Sequence, residues 1–252
     1  MRIVFLSGGA REKSLRYLLE KKEQVIAVIT PYISKKNNRF KDVILTACEF
    51  GVPVYPVRKE TLLSVINKLD FEILVSCGFS YIIDKEIINK AKYAINVHPT
   101  LLPKYRGFRS GPYIIINGEK ETGVTIHFIT EEIDKGDILY QESFQISPFD
   151  TTKSILRKTQ EIEPKALYKT IQMLKNGTFK ALPQNESEAS TYNYIRTPKD
   201  SEIDWNKSLK SLYNEIRACS PTDYPAFFFV EGQKVCIKLW RPDKPPNEED
   251  MI

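Results

Sequence analysis

The sequence predicts an α/β protein with a Rossmann-like, largely parallel sheet and a small C-terminal α+β extension. Short apolar runs rich in β-branched residues alternate with longer segments of helical periodicity over the first half of the chain. Such alternation is typical of crossover units, which place strands in parallel. A polar stretch separates this region from a shorter one of different pattern, and 252 residues suffice for both.

The elements of the first region follow one another at regular intervals. The predicted strands are RIVFLS, QVIAVIT, VPVYPV and EILVSC, and the helices between them are Glu12–Lys22, Arg39–Phe50 and Lys59–Leu69. A fifth strand is predicted at Tyr93–His98, a helix at Ser110–Asn117 and a sixth strand at Gly123–Phe128. A long helix fits Thr151–Lys175, bent or interrupted at Pro164, and Asn176-Gly177 supplies the residue types that end a helix.

The C-terminal part divides into a linker and a small unit. We predict a main domain at 1–180, a linker at 181–200 and an extension at 201–252, because the linker is polar and contains Pro183 and Pro198. In the extension we predict a helix at Lys207–Ala218 and strands at Ala226–Val230 and Lys234–Trp240. We expect Trp205 and Trp240 to fill its small core, with stacking on a base as the alternative.

Composition narrows the class of protein. The opening segment reaches paired glycines too early for a signal peptide, and no stretch approaches the ~20 apolar residues of a membrane span, so we expect a cytoplasmic protein without membrane contact. The four cysteines have no spacing typical of zinc, and no metal is predicted. The net charge is +5, but residues 197–252 carry 8 Lys and Arg against 10 Asp and Glu, a net −2. The basic excess therefore belongs to the main domain.

Polar side chains at the end of the fifth strand are the first candidate site. Side chains alternate across a strand, so Asn96 and His98 project from one face, while Ile95 and Val97 face the other way. Pro99 then halts the strand. Ligands of open parallel sheets bind outside the carboxyl ends of the strands, so an amide and an imidazole at this place face the expected crevice. A structural role is the alternative for such a pair taken alone.

Three segments in order carry a family resemblance. NVHPTLLPKYRG, NGEKETGVTIHF and EEIDKGDILYQ together resemble the folate-dependent formyltransferases, in residue type, spacing and order. The likeness covers residues 1–146 in detail and, more faintly, RTPKDSEIDW and NEIRA. It implies that residues 1–180 are a formyltransferase catalytic domain that uses 10-formyltetrahydrofolate as co-substrate. By the same resemblance, Asn96, His98 and Asp134 match the catalytic residues of the family, with Asp137 as the rival carboxylate.

The chemistry of formyl transfer requires these residue types. An amine that attacks a formyl carbon generates an oxyanion, which an amide donor such as Asn96 can stabilise. Imidazole can take or relay the amine proton at neutral pH, and a nearby carboxylate can orient the ring. Sequence alone leaves open whether His98 or Asp134 takes that proton first. We expect His127, which alternates with Thr125 on its strand, to be a structural histidine rather than a second base.

Further residues are assigned to the two substrates. The resemblance implies that the folate lies against the loops Gly78–Ile83 and Thr130–Asp134, held by backbone groups, so that Tyr81, Ile82 and Ile83 matter mainly for shape. The alternative is that Tyr81, Ile82 and Ile83 are a hydrophobic segment that precedes the next helix. The acceptor would meet a loop containing Tyr105, Arg106 and Arg109, where Arg109 is a candidate phosphate ligand or a surface arginine. Backbone amides of Ser7, Gly8 and Gly9 are candidate phosphate contacts, with an ordinary turn as the alternative.

The acceptor is inferred by elimination. The resemblance extends to methionyl-tRNA formyltransferases, which carry a larger C-terminal barrel, whereas this extension is small and acidic, and nucleic-acid binding usually shows as a basic patch. We therefore expect a nucleoside-diphosphate amino sugar as acceptor, in a step toward a bacterial surface polysaccharide. We expect no nucleic-acid partner, and the sequence leaves open whether the protein is a monomer or a homodimer. A tRNA formyltransferase, a 10-formyltetrahydrofolate hydrolase and a non-catalytic binding module are the alternatives.

Overall fold

The structure is a computed structural model that describes residues 1–32, 39–107, 110–192, 194, 196–219 and 224–244. A seven-stranded sheet in the order β3-β2-β1-β4-β5-β6-β7 forms its centre. The strands are β1 (Ile3–Ser7), β2 (Val25–Pro31), β3 (Val54–Val57), β4 (Ile73–Cys77), β5 (Tyr93–His98), β6 (Glu121–Phe128) and β7 (Ile138–Gln145). The first five pair in parallel, whereas β6 and β7 are antiparallel to their neighbours. The predicted α/β fold with a largely parallel sheet is confirmed.

The helices connect and cover these strands. They are α1 (Glu12–Glu20), α2 (Lys41–Glu49), α3 (Lys59–Ile66), α4 (Lys85–Lys90), α5 (Gly111–Ile116), α6 (Thr152–Asn176) and α7 (Leu209–Ala218). A reciprocal pair of hydrogen bonds between Thr151 and Ser154 caps the start of α6, and Gly177 ends it with a φ of 67°. The helix runs on through Pro164, which is buried within it, so it is not interrupted there.

The central strands are apolar on both faces, so helices cover the sheet on both sides. In β1, Ile3 and Phe5 pack into the cluster that contains α1, α2 and α6, while Val4 and Leu6 pack into the cluster with α3 and α4. Burying each such side chain stabilises the fold by about 1.5–3 kcal/mol, so both faces of the strand favour a covered position. This two-sided burial is typical of parallel strands and explains their continuous apolar runs.

Strand β7 was not predicted from the sequence. Its residues ILYQESFQ contain a polar centre, and the strand lies at the edge of the sheet with most of its side chains exposed or half-exposed. An edge strand pairs with only one neighbouring strand and much of its surface faces solvent. The alternation of apolar and polar residues along it is therefore weak. Together with β6 it completes an antiparallel end to the otherwise parallel sheet.

The C-terminal unit is small and mixed, as predicted. It contains a 3₁₀ turn at Pro198–Ser201, helix α7 and a hairpin of β8 (Phe227–Val230) and β9 (Gln233–Cys236). Strand β9 is shorter than the predicted Lys234–Trp240. The expectation that two tryptophans form its core is wrong, because Trp205 is 61% and Trp240 73% exposed. Among the described residues, no helix has the length and apolar character required to span a bilayer.

Candidate active site

The end of β5 places an amide and an imidazole beside strand β6. Asn96 lies opposite His127 and His98 opposite Thr125 in the antiparallel register. His98 is only 4% exposed, so its ring environment is set by protein groups. Because β4 pairs with β5 through Cys77 and Val97, Gly78 is level with His98 at the same edge of the sheet. The predicted pair therefore borders the crevice at the carboxyl ends of the central strands.

Asp134 comes to this pair from the loop between β6 and β7. Its Oδ2 lies 3.4 Å from His98 Nδ1 and accepts a hydrogen bond of 2.9 Å from the Gly107 amide. Its Oδ1 accepts from Asn96 Nδ2 at 3.4 Å. The structure thus brings together Asn96, His98 and Asp134, which are separated by up to 38 positions in the sequence.

Hydrogen bonding determines which nitrogen of His98 carries a proton. Nε2 lies 2.8 Å from the carbonyl oxygen of Tyr105, which can only accept, so Nε2 donates. In the neutral ring Nδ1 is then the unprotonated nitrogen, and it faces Asp134. Burial lowers the pKa of His98 below its ordinary value, although Asp134 opposes this effect. A neutral ring with a free lone pair on Nδ1 is therefore the form at neutral pH.

Asp134 remains an anion under the same conditions. Burial alone would raise its pKa, but attraction to His98 and the hydrogen bond from the Gly107 amide are among the influences that outweigh it and hold the pKa at about 2. A carboxylate beside a neutral imidazole stabilises the charged ring that forms when Nδ1 takes a proton. This arrangement is suited to general base chemistry at His98.

His127, which the sequence led us to expect as a structural histidine, lies beside the catalytic residues. It is 2% exposed, and its Nδ1 donates to the carbonyl oxygen of Phe128 at 2.8 Å, so Nε2 is the acceptor in the neutral ring. That Nε2 lies 3.1 Å from Asn96 Nδ2, which donates to it. His127 thereby orients the Asn96 amide. The signal that identifies it is its register opposite Asn96, which requires knowing that β6 runs antiparallel to β5.

The predicted folate residues occupy different environments. Gly78 has a φ of 68° and its carbonyl accepts from the Gly8 amide at 3.1 Å. Ile82 is 58% exposed, whereas Ile83 is buried in the core below. Tyr81 directs its hydroxyl to the Val57 carbonyl at 3.5 Å, and the Thr130 hydroxyl bonds the Glu132 carbonyl within its own loop. Of these residues, Gly78, Ile82 and Thr130 are exposed to solvent.

The Ser7–Gly9 turn lies against the loop that begins at Gly78. A Cβ on Gly8 would lie 2.6 Å from Ser80 Oγ and 2.9 Å from the Gly78 carbonyl oxygen, so only glycine permits this approach. The Gly8 amide is engaged by Gly78, and the Ser7 hydroxyl contacts the Gly9 carbonyl at 3.4 Å. The turn therefore joins two loops of the crevice, in agreement with the structural alternative for these residues.

The predictions for Tyr105 and Arg106 as acceptor ligands do not fit the structure. Tyr105 is 5% exposed, and its hydroxyl bonds Glu119 and Asn117. Arg106 is 2% exposed, and four of the five N–H groups of its guanidinium donate to Gln184 and Glu186. Neither side chain is available to a phosphate in this conformation. Arg109, the third residue predicted in that loop, lies outside the described residues.

Comparison with known proteins agrees with this geometry. The family model "Formyl transferase" matches residues 1–171, and "Formyl transferase, C-terminal domain" matches residues 196–250. The chain belongs to the formyl transferase family. The predicted enzyme class, a folate-dependent N-formyltransferase with a formyl-folate co-substrate, is confirmed. In the part of the chain that the structure describes, no group of three His, Cys, Asp or Glu side chains is arranged to hold a metal ion.

Individual members differ in the acceptor that they use. Methionyl-tRNA formyltransferase from Bacillus cereus is 34% identical over 243 residues, which cover 93% of this chain and 76% of that protein. An N-formyltransferase from Helicobacter canadensis, in complex with folinic acid and dTDP-3-aminofucose, is 25% identical with a TM-score of 0.72, covering 93% of this chain and 85% of that one. The sugar 3N-formyltransferase WlaRD, in the presence of dTDP and 5-N-formyl-THF, shares the fold, with a TM-score of 0.75, 24% identity and coverage of 96% and 87%.

Proposed function

We propose that this formyl transferase moves the formyl group of 10-formyltetrahydrofolate to the primary amine of a nucleoside-diphosphate-linked amino sugar. The observation that carries this proposal is the structural match to the Helicobacter canadensis enzyme with its bound dTDP-3-aminofucose, which extends over 93% of this chain. The amine acceptor agrees with a site built around an unprotonated His98 nitrogen. The reaction is a step toward a surface polysaccharide, carried out in the cytoplasm.

His98 takes the proton of the attacking amine. Its Nε2–H is held by the Tyr105 carbonyl, so Nδ1 is the nitrogen with a lone pair, and it lies 3.4 Å from Asp134 Oδ2. The amine nitrogen forms a bond to the formyl carbon and loses one proton, and the folate nitrogen gains one as its bond to that carbon breaks. His98 accepts the first proton and relays it, because the neighbouring Asp134 anion stabilises the transient imidazolium.

Asn96 stabilises the negative charge that develops on the formyl oxygen. In the structure its Nδ2 has two acceptors, His127 Nε2 at 3.1 Å and Asp134 Oδ1 at 3.4 Å. The longer contact is the weaker one, so the hydrogen directed at Asp134 is the one that is available to the oxyanion. His127 keeps the other hydrogen and thereby holds the amide plane in place. A preorganised donor of this kind contributes about 10²–10³ in rate.

The folate lies between the loops 78–83 and 130–134, held mainly by backbone groups. Gly78 adopts a left-handed conformation at the level of His98, and the Thr130–Asp134 loop ends at the catalytic carboxylate. A ligand placed between these two loops has its formyl group beside Asn96 and His98. The exposed Ile82 side chain provides an apolar surface for the flat ring.

Methionyl-tRNA is the second candidate acceptor, and the 34% identity to the Bacillus cereus enzyme is the observation that favours it. Charge argues against it. Residues 197–252 carry 8 Lys and Arg against 10 Asp and Glu, a net −2, although they match the C-terminal domain of the family. A polyanionic tRNA requires a track of positive charge, whereas a single diphosphate requires only a few donors.

A direct comparison of acceptors tests the proposal. The protein is incubated with 10-formyltetrahydrofolate and either a panel of nucleoside-diphosphate amino sugars or methionyl-tRNA, and release of tetrahydrofolate is followed under identical conditions. We expect kcat/KM for at least one amino sugar to exceed that for the tRNA by about 10²-fold or more, a difference of about 2.7 kcal/mol in transition-state binding. Efficient turnover of the tRNA alone would overturn the acceptor and leave the catalytic residues as proposed.

A further inference from the structure

Two loops that orient His98 contain residues in an unfavourable backbone conformation. Tyr105, whose carbonyl accepts from the ring, has a φ of 61°, and Asp134, whose carboxylate faces Nδ1, has a φ of 55°. Residues other than glycine rarely adopt this left-handed region, and they remain in it only where surrounding contacts hold them. The position of both catalytic partners of His98 therefore depends on what holds these loops.

Segment 182–192, which composition assigned to a linker, contacts both loops. The Gln184 side chain donates to the carbonyl oxygens of Asp134 and Gly136, each at 2.8 Å. On the other loop, Tyr105 N donates to Ser190 Oγ at 2.9 Å and Arg106 N to the Ser190 carbonyl at 2.8 Å. The segment thus holds the backbone of the Asp134 loop through the Gln184 side chain. It holds the backbone of the Tyr105 loop through the side chain and the carbonyl of Ser190.

Arg106 joins the two sets of contacts. Its Nε and Nη2 donate to Gln184 Oε1 at 3.0 and 2.7 Å, and Nη1 and Nη2 donate to the Glu186 carboxylate at 2.9 and 2.7 Å. The oxygen of the Gln184 amide accordingly faces a cation, and its NH₂ group faces two carbonyls. These partners determine the orientation of the amide, because the reverse orientation would oppose donor to donor and acceptor to acceptor.

We propose that Gln184 is a positioning residue for formyl transfer. It ties the loop of Asp134 to Arg106 and, through Arg106, to the loop of Tyr105, so that the carboxylate and the carbonyl that orient His98 keep a fixed separation. The inference rests on the proposed function, since the reaction that it supports is the one assigned to His98. Segment 182–192 is then part of the active site and not a passive connection.

Substitution of Gln184 by glutamate separates positioning from structural support. A glutamate retains an acceptor for Arg106 but has no hydrogen to donate to the Asp134 and Gly136 carbonyls. We expect Gln184→Glu to lower kcat by about 10- to 100-fold, because a misplacement of about 1 Å costs up to about 10² in rate. The KM for 10-formyltetrahydrofolate should change by less than about threefold. The melting temperature should change by no more than a few degrees, because a stronger attraction to Arg106 offsets part of the repulsion between the new oxygen and the two carbonyls.

Two further variants complete the experiment. Gln184→Met removes both the acceptor and the donors without adding a charge. Gln172→Met is the matched control, because Gln172 is also half-buried and its amide donates to Glu23 instead of to a catalytic loop. The chain has two histidines, so proton NMR resolves His98 by comparison with a His98→Gln sample. We expect the apparent pKa of His98 to move by about half a unit or more in Gln184→Met and to stay unchanged in Gln172→Met.

The outcomes are distinguishable. If Gln184→Glu keeps kcat within about threefold of the unmodified protein, the donors of Gln184 do not position Asp134 and the proposal is wrong. The same conclusion follows if the His98 pKa is unchanged in Gln184→Met. If the unmodified protein formylates no amine at all, the proposed function fails, and the NMR titration still decides whether Gln184 controls the surroundings of His98.

Discussion

Replacing His98 with glutamine is expected to lower kcat for formyl transfer by at least about 10²-fold while the protein stays folded. Glutamine fills a similar space and its amide still donates to the Tyr105 carbonyl, so the loop contact at 2.8 Å is preserved. What is lost is the lone pair of Nδ1, to which we assign the amine proton. Steady-state kinetics and a thermal melt measure the two quantities.

The other histidine of the chain is the natural control. His127→Gln retains an oxygen that accepts from Asn96 Nδ2, the contact of 3.1 Å in the structure. We therefore expect a loss of no more than about tenfold, since the Asn96 amide remains oriented. If the His127 variant were as inactive as the His98 variant, the base would be wrongly assigned.

The second large effect is expected at Asp134. Asp134→Asn keeps the size of the side chain but removes the charge that stabilises a protonated His98, and kcat should fall by at least about 10²-fold. The pKa of His98 should also fall further, because burial lowers it and Asp134 is the main opposing influence. Since activity requires the neutral ring and is lost as pH falls through that pKa, the residual activity of the variant should persist to lower pH. A kcat profile and the NMR titration of the ring measure this shift.

Asp137 supplies a matched control three positions along the same loop. Its backbone carbonyl accepts from the Phe128 amide at 3.0 Å, a contact that substitution of the side chain leaves in place. We expect Asp137→Asn to stay within about threefold of the unmodified kcat. A loss equal to that of Asp134→Asn would show that the carboxylate was assigned to the wrong residue.

The five parallel strands of the sheet, and Asn96 and His98 of the site, could be predicted from the sequence for the same physical reason. Buried parallel strands are continuous apolar runs, so a polar Asn and His at the end of one stand out, and period-two alternation places them on one face. Asp134 came from the resemblance, and the only sequence feature against Asp137 was its neighbour Gly136, which is typical of a turn. The distances to His98 and Gly107 are what distinguish the two in the structure.

The residues that sequence analysis missed or misplaced depend on long-range pairing. His127 joins the site because β6 is antiparallel to β5, and β7 at the exposed edge has too weak a pattern to reveal that arrangement. Gln184 lies in a stretch whose polar composition is typical of a linker. In the structure, however, its side chain donates hydrogen bonds to the carbonyls of Asp134 and Gly136 in a catalytic loop. Arg106 was assigned to the acceptor site because composition does not tell a free cation from one enclosed by acceptors.

Formyl transfer to an amine is measured most directly by the stoichiometry of the two products in a single turnover. The protein, 10-formyltetrahydrofolate and an accepted amino-sugar nucleotide are mixed, and tetrahydrofolate, formylated sugar and formate are quantified by mass spectrometry. We expect one formylated sugar for each tetrahydrofolate, negligible formate, and almost no tetrahydrofolate when the amine is omitted or acetylated. Release of tetrahydrofolate with equal formate in the absence of the amine would contradict this expectation, because the site would then deliver the formyl group to water.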